Sequence, residues 1–327
     1  MITCAIIGAS GLVGSTFLKV LEEKKLPIDE FFLFASKRSA GKKVKLLGKQ
    51  YSIQELTEDT PKEKFTYAMF FAGGKISKDF APKFAENGTI VIDNSSAFRM
   101  DENIPLVVPE VNITKAIDAK IIANPNCSTI QAVVPLKVIH DKYKIKRIVY
   151  STYQAVSGAG QKGIEDFKLT SVGLEHQKFP HKIYNNCIPQ IDDFVETGYT
   201  KEELKMINET HKILDDYTIN ITATCVRVPV LNCHSESINI ELENEFDIDE
   251  LKQLLNKTEG IIVMDDTRFN IYPLNEKADG IDDILVGRIR RDFSVKNGIN
   301  MWVVADNIRK GAASNAAQIL EYLLSHS

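Results

Sequence analysis

A continuous apolar strand, Ile2 to Ile7, runs into Gly8-Ala9-Ser10-Gly11-Leu12-Val13-Gly14 and then into a helical pattern from Leu12 to Lys25. Strand, glycine turn and helix in that order constrain the fold more than any other stretch. The G-x-x-G-x-x-G spacing is a variant of the dinucleotide fingerprint, in which glycines let backbone approach a pyrophosphate. Further strands read at Phe31 to Ala35, Tyr67 to Ala72, Thr89 to Asp93, Leu106 to Val108 and Lys120 to Ala123. A helix from Lys75 to Asn87 ends at Gly88. Several of the strands are apolar throughout, as strands covered on both faces are. The N-terminal part predicts a Rossmann-like α/β domain on a parallel sheet.

The texture changes after residue 140. Arg147 to Val156, Ile219 to Val230, Ser235 to Leu242, Ile284 to Ile289 and Ile299 to Ala305 are longer and alternate polar with apolar. That period suits an antiparallel or mixed sheet with one face packed on helices. Helical patterns cover Lys162 to Leu169, Lys201 to Leu214, Asp249 to Asn256 and Ile308 to Leu324. The expected division is residues 1–126 plus 307–327 as the nucleotide domain and 127–306 as a second, α+β domain.

Composition narrows the partners. With 40 Lys and Arg against 44 Asp and Glu, and no basic block, the chain has no footprint for nucleic acid. No apolar run approaches the roughly 20 residues that span a bilayer. The N-terminus enters a strand directly instead of showing a signal peptide, so the expected location is the cytoplasm. Five cysteines, Cys4, Cys127, Cys187, Cys225 and Cys233, are widely spaced without C-x-x-C pairs. That spacing argues against a disulfide framework and against a metal site.

The end of the second strand indicates which nucleotide is bound. An NAD site usually places an acid there to accept from the ribose 2′-OH. Here Ala35-Ser36-Lys37-Arg38-Ser39-Ala40-Gly41 holds no acid and two cations. Arg38 can grip a 2′-phosphate bidentately while Ser36 and Ser39 donate to it, so NADP is expected over NAD. Ala72-Gly73-Gly74 after the third strand also lets backbone approach the cofactor.

The chemistry centres on Ala123-Asn124-Pro125-Asn126-Cys127-Ser128-Thr129-Ile130-Gln131. A strand enters a Pro-containing turn and a helix starts at Ser128 and Thr129, which puts the Cys127 sulfur at a helix N-terminus. There the macrodipole favours the thiolate. Candidate partners end strands of the second domain: Gln154, followed by Ala155-Val156-Ser157-Gly158; Arg227; and His234, in a Pro-containing connection after Val228-Pro229.

These motifs, with Asn94-Ser95-Ser96-Ala97-Phe98-Arg99, Arg227-Val228-Pro229-Val230, His234-Ser235-Glu236-Ser237 and Trp302 to Gln318, closely resemble the aspartate-semialdehyde dehydrogenase family in order along almost the whole chain. The resemblance implies a glyceraldehyde-3-phosphate dehydrogenase-like arrangement, with an NADP-binding domain and a catalytic and dimerisation domain. It implies NADP-dependent, reversible reductive dephosphorylation of L-aspartyl 4-phosphate to L-aspartate 4-semialdehyde through a cysteine thioester. The pathway so implied makes lysine through diaminopimelate, methionine and threonine.

By the same resemblance Cys127 is the nucleophile, His234 the proton acceptor and Gln154 a catalytic and substrate-binding residue. Glu209 and Arg227 bind substrate, and Arg99, Asn126 and Lys212 bind phosphate. Gly8, Ser10, Gly11, Leu12, Val13, Ser36, Arg38, Ser39, Gly73, Ser157, Gly158 and Asn307 approach the cofactor. The partners implied are small molecules, aspartate semialdehyde and phosphate, and a homodimer or homotetramer. Two rivals remain: an N-acetyl-γ-glutamyl-phosphate reductase, whose nucleophile is usually followed by an aromatic residue and Pro, and a non-catalytic NADP-binding sensor.

Overall fold

The computed structural model describes residues 1–326 and divides into two compact units, Met1–Asn126 joined by the stretch from Ala312, and Cys127–Gly311. The first unit is a six-stranded sheet in the order β5-β2-β1-β6-β7-β8. Its strands are β1 (Thr3–Ile7), β2 (Glu30–Ala35), β5 (Gln54–Glu55), β6 (Tyr67–Phe70), β7 (Ile90–Asp93) and β8 (Ile121–Ala123). Every pairing in it is parallel. Strand order reverses between β1 and β6, so a crevice opens at their C-terminal ends, where open α/β sheets bind ligands.

Helix α1 (Leu12–Lys24) and the C-terminal helix α9 (Ser314–Ser325) share one apolar core, with Phe17 and Leu21 among the same buried cluster as Ala316 and Leu320. In the other core, Phe80 and Phe84 of α2 (Gly74–Glu86) pack with Phe34, Phe65 and Phe70. The first glycine turn is sterically forced. A β-carbon on Gly14 would sit 2.2 Å from the Gly8 carbonyl oxygen, and Gly8 itself has φ +88°.

Two local features depart from expectation. Leu106 to Val108 forms an isolated bridge, Leu106 to Ala123, because Pro105 precedes it and Pro109 opens the short helix α3 (Pro109–Asn112). A hairpin of β3 (Lys43–Leu46) and β4 (Lys49–Ser52) turns on Leu47 and Gly48, both at positive φ as a type I′ turn requires.

The second unit is a mixed sheet in the order β10-β9-β11-β14-β13-β12. The strands are β9 (Ile145–Gln154), β10 (Asn220–Arg227), β11 (His234–Leu242), β12 (Ile261–Val263), β13 (Ile284–Asp292) and β14 (Gly298–Ala305). The outer pairs β9–β10 and β12–β13 are parallel and the inner ones antiparallel. Helices α4 (Cys127–Tyr143), α6 (Lys201–Leu214) and α7 (Ile248–Asn256) pack against the sheet, as does the short α8 (Asn275–Ala278) on β14, while α5 (Gln161–Ser171) braces the turn at Val156–Ala159. Ile238, Ile240 and Leu242 alternate inward from β11. Beside Tyr153 and Trp302, whose rings lie 5.4 Å apart, is a cavity of about 500 Å³ that Leu274 and Arg288 also line.

The helix expected from Ile308 to Leu324 begins instead as a π-helical turn, Arg309–Ala313, before α9. Gly311 lies there against Cys127, where its missing β-carbon would sit 2.7 Å from the cysteine's own. The chain leaves the second unit at Gly311 and not at residue 306, because Asn307 is tied into it. Its amide bonds the Ser157 hydroxyl, and its Oδ1 accepts from the Cys233 N–H at 2.9 Å. Among the described residues no helix is long and apolar enough to cross a membrane.

Candidate active site

In the first unit, the crevice at the strand ends is a cavity of about 550 Å³ lined by Gly8, Ser10, Gly11, Ser36, Arg38 and Glu55 among others. The first five are expected cofactor residues. Leu12 and Val13 open α1, Ser39 is buried in the turn after β2, and Gly73 precedes α2 at φ +89°; none of these four lines the cavity. Glu55 is a correction to the acid-free wall expected from β2 alone. It is brought in by β5, paired with Ala35. A carbon on Gly8 would lie 2.8 Å from the Phe71 carbonyl carbon, so backbone stays bare at the point where a pyrophosphate would lie. The residues present fit a dinucleotide.

Arg99 is held by a buried amide network. Its Nε donates to the Asn124 carbonyl at 2.9 Å and its Nη2 to the Asn94 carbonyl at 3.0 Å. Asn124 in turn donates to Asn94 Oδ1, and Asn315 to Asn124 Oδ1, each at 2.7 Å. Asp93 anchors the same loop by accepting from the hydroxyls of Ser77 and Ser95. Burial pushes its carboxyl up against those bonds. Asn126 is buried at the end of this unit.

In the second unit, sheet register gathers the expected catalytic side chains. Gln154 and Arg227 are direct partners on β9 and β10, and His234 opens β11, whose next residue, Ser235, pairs with Tyr153. Three adjacent strands thus present Gln154, Arg227 and His234 at one end. Cys127 begins α4, half-buried, where the helix dipole favours negative charge. Burial pushes the thiols of Cys4, Cys225 and Cys233 up, which makes them inert.

Arg227 is buried, donates from Nη1 to the Ala155 carbonyl at 2.6 Å and stacks on Phe179 at 5.8 Å. Burial works against its charge, while the Glu202 carboxylate and the Cys127 sulfur support it. His234 is buried too, and its Nδ1 accepts from the Ala155 N–H at 3.0 Å. A neutral ring bonded in that way carries its proton on Nε2. Burial, then Arg227, hold the ring pKa down to about 3. A β-carbon on Gly158 would meet Arg227 Nη1 at 2.8 Å and His234 Nε2 at 3.0 Å. Glycine there keeps the space shared by the guanidinium and the ring open.

Gln154 is fixed at both ends of its amide: Nε2 donates to Glu202 Oε1 at 3.1 Å, and Thr152 Oγ1 donates to its Oε1 at 3.0 Å. Gln131, one turn into α4, donates to the His234 carbonyl at 3.2 Å and so links the cysteine's helix to the histidine's strand. Glu209 is buried on α6 with Lys212 half-buried one turn on. Ser157 and Asn307 bond each other.

Glu202, Thr152, Gln131, Glu236 and Glu55 were not expected. Glu236 had a signal, since alternation puts it on the inward face of β11 beside His234. Both its oxygens are buried without a partner, and burial, then Glu202, push it well above the usual carboxylate range. Among the described residues, one group has metal-ligand spacing, Cys233 with Asp279 and Asp306. The Asp306 carboxylate there is occupied by the N–H groups of Gly280, Ile308 and Arg309.

Comparison with known proteins gives the family. The family model described as semialdehyde dehydrogenase, NAD binding domain, matches residues 3–119, and that described as semialdehyde dehydrogenase, dimerisation domain, matches residues 136–310. An aspartate-semialdehyde dehydrogenase of Aquifex aeolicus is 54% identical across 98% of this chain and 97% of its own. The solved structure of aspartate semialdehyde dehydrogenase II from Vibrio cholerae, complexed with ASA, matches with TM-score 0.95 at 46% identity, covering 99% of this chain and 98% of that one. The enzyme from Candida albicans, solved with NADP, matches with TM-score 0.76 at 26% identity over 99% of this chain and 98% of that one. With such identity along nearly its full length, the chain belongs to the aspartate-semialdehyde dehydrogenase family.

Proposed function

We propose that the protein converts L-aspartyl 4-phosphate to L-aspartate 4-semialdehyde, reversibly and with NADP, through a thioester on Cys127. The product would feed lysine, by way of diaminopimelate, methionine and threonine synthesis in the cytoplasm. The observation that carries this reading is a cysteine at a helix start whose sulfur supports the charge of a buried arginine, in the unit where Gly158 clears space before that arginine and His234.

In the reductive direction the Cys127 thiolate attacks the acyl carbon. The C–S bond forms, the C–O bond to phosphate breaks, and phosphate leaves. When bound, the dinucleotide supplies the hydride that reduces the thioester and takes it back in the reverse direction. As the aldehyde carbonyl forms, the thiolate departs. His234 faces the reacting oxygen with Nε2–H, an oxyanion donor that costs no reorganisation. Taking up a proton there, the role expected for it, first requires giving up the Ala155 bond to Nδ1. Arg227 pairs with the substrate α-carboxylate, Glu209 accepts from its ammonium, and Gln154 holds the reacting group. Arg99, Asn126 and Lys212 take the phosphate. Ser36 and Arg38, which line the cavity, select the 2′-phosphate of NADP with Ser39 buried in the turn behind them, while Ser157, Gly158 and Asn307 serve the cofactor.

Exposed Tyr153 and Leu274 beside the half-buried Trp302, together with the dimerisation-domain match, support a homodimer. The test is phosphate-dependent NADP reduction with aspartate semialdehyde, run beside N-acetylglutamate semialdehyde. Turnover of the second aldehyde alone, or nucleotide binding with no turnover of either, overturns the reading.

A further inference from the structure

Gln154 has two polar atoms and both are gripped from below. Its carbonyl oxygen accepts from the Thr152 hydroxyl, two residues back on the same face of β9, and its NH2 group donates to Glu202 in the first turn of α6. Thr152 is fully buried and Glu202 nearly so. The second oxygen of Glu202 pairs with Lys205 at 3.0 Å, and Lys205 with Asp192 at 2.8 Å. An amide can turn over by 180° at little cost unless its partners differ. Here one partner can only accept and the other donates, so a single orientation satisfies both.

We propose that Glu202 and Thr152 are positioning residues that lock the Gln154 amide in one orientation, leaving an N–H as the group it offers the substrate. This rests on the role given to Gln154 above. Glu202 acts through Gln154 and need not touch substrate. A carboxylate is suited to the task because it accepts strongly and cannot donate, which a neutral amide at the same position would not guarantee.

The tests are kinetic and structural. Glu202→Ala should lower kcat about 10- to 100-fold through misplacement of Gln154, with KM for the aldehyde within about threefold of wild type. Glu202→Gln, which keeps an acceptor oxygen but can also present its NH2, should recover part of the loss. Thr152→Val, nearly isosteric, should reproduce part of it. In a Gln154→Ala background, Glu202→Ala should lower kcat several-fold less than it does in wild type, leaving only what the carboxylate does for the charge of Arg227. Equal losses in both backgrounds, or no loss from either Glu202→Ala or Thr152→Val, would overturn the proposal. A crystal structure of Glu202→Ala gives an answer without turnover. A rotated Gln154 supports the lock, and an unmoved one defeats it. Inactive wild-type protein would count against the assigned reaction and not against the lock.

Discussion

The backbone N–H of Ala155 donates to Nδ1 of His234 at 3.0 Å, so the residue after Gln154 on the chain sets the tautomer of the ring across the strand pair. The ring is buried beside Arg227 and its pKa is depressed to about 3 from an ordinary 6.5. The acid limb of the kcat profile should then show no ionisation near 6.5. The same depression has a stability cost. Between pH 6.5 and about 3 the unfolded chain binds a proton at this ring that the folded chain refuses. Stability is present above that window and is lost as pH falls through it, with a slope of up to about 1.4 kcal/mol per pH unit. Thermal melts of wild type and His234→Asn across this range should show a shallower decline in the variant.

Glu236 works in the opposite sense. Its folded pKa is raised, so the folded state holds a proton that the unfolded chain gives up above its ordinary 4.5. That contribution is complete below this value and drains away as pH rises. Glu236→Gln should therefore be nearly neutral at pH 4.5 and stabilising at pH 8, by denaturant titration at both.

Gly158→Ala should leave the fold standing and disable the site. The added carbon would collide with Arg227 Nη1 and the His234 ring, displacing both. A fall in kcat of about 100-fold is expected, with a melting temperature within a few degrees of wild type. Activity within a factor of about three would show that the space before Arg227 and His234 is not used.

Cys127→Ala should abolish phosphate-dependent NADP reduction while nucleotide affinity, read by fluorescence titration, stays near wild type. Substantial remaining turnover would assign the nucleophile elsewhere.

Arg38→Ala should weaken NADP by about 10- to 100-fold, the value of a charge-assisted pair, and NAD much less. Glu55→Gln, on the same cavity wall, should improve NADP relative to NAD by removing a like charge from the neighbourhood of the 2′-phosphate. Parallel losses for both nucleotides in Arg38→Ala would remove the argument for a 2′-phosphate site.

What could be read from the chain alone was local in origin. The turn from Gly8 to Gly14 is legible because Gly14 is demanded by the Gly8 carbonyl six residues back and Gly8 by its own positive φ, and the Cys127 helix start because turn and helix are contiguous. The β3–β4 hairpin escaped because Lys43, Lys45 and Lys49 mask a two-residue turn whose first position is Leu47, a residue type that gives no warning of positive φ. Leu106 to Val108 was over-read as a strand since three apolar residues look alike whether or not prolines stop their ladder. Glu202 was invisible for another reason. It precedes Glu203, whose side chain completes a capping box with Thr200, so acids at this helix start already had a sufficient explanation. Only the apposition of β9 and α6, set by pairing across more than forty residues, shows which of the two acids reaches Gln154.

The placement of Gln154, Arg227 and His234 at one end of three neighbouring strands also bears on how the protein matures. Each comes from a distant part of the chain, and the two pairings that align them, β9 with β10 and β9 with β11, must close long loops first. Loop closure of that kind is slow, and it is late. The last helix, α9, completes the core beside α1 in the first unit, so a nascent chain finishes neither unit before its C-terminus is made. Activity regained after dilution from denaturant should appear in one slow phase with the closing of these pairings.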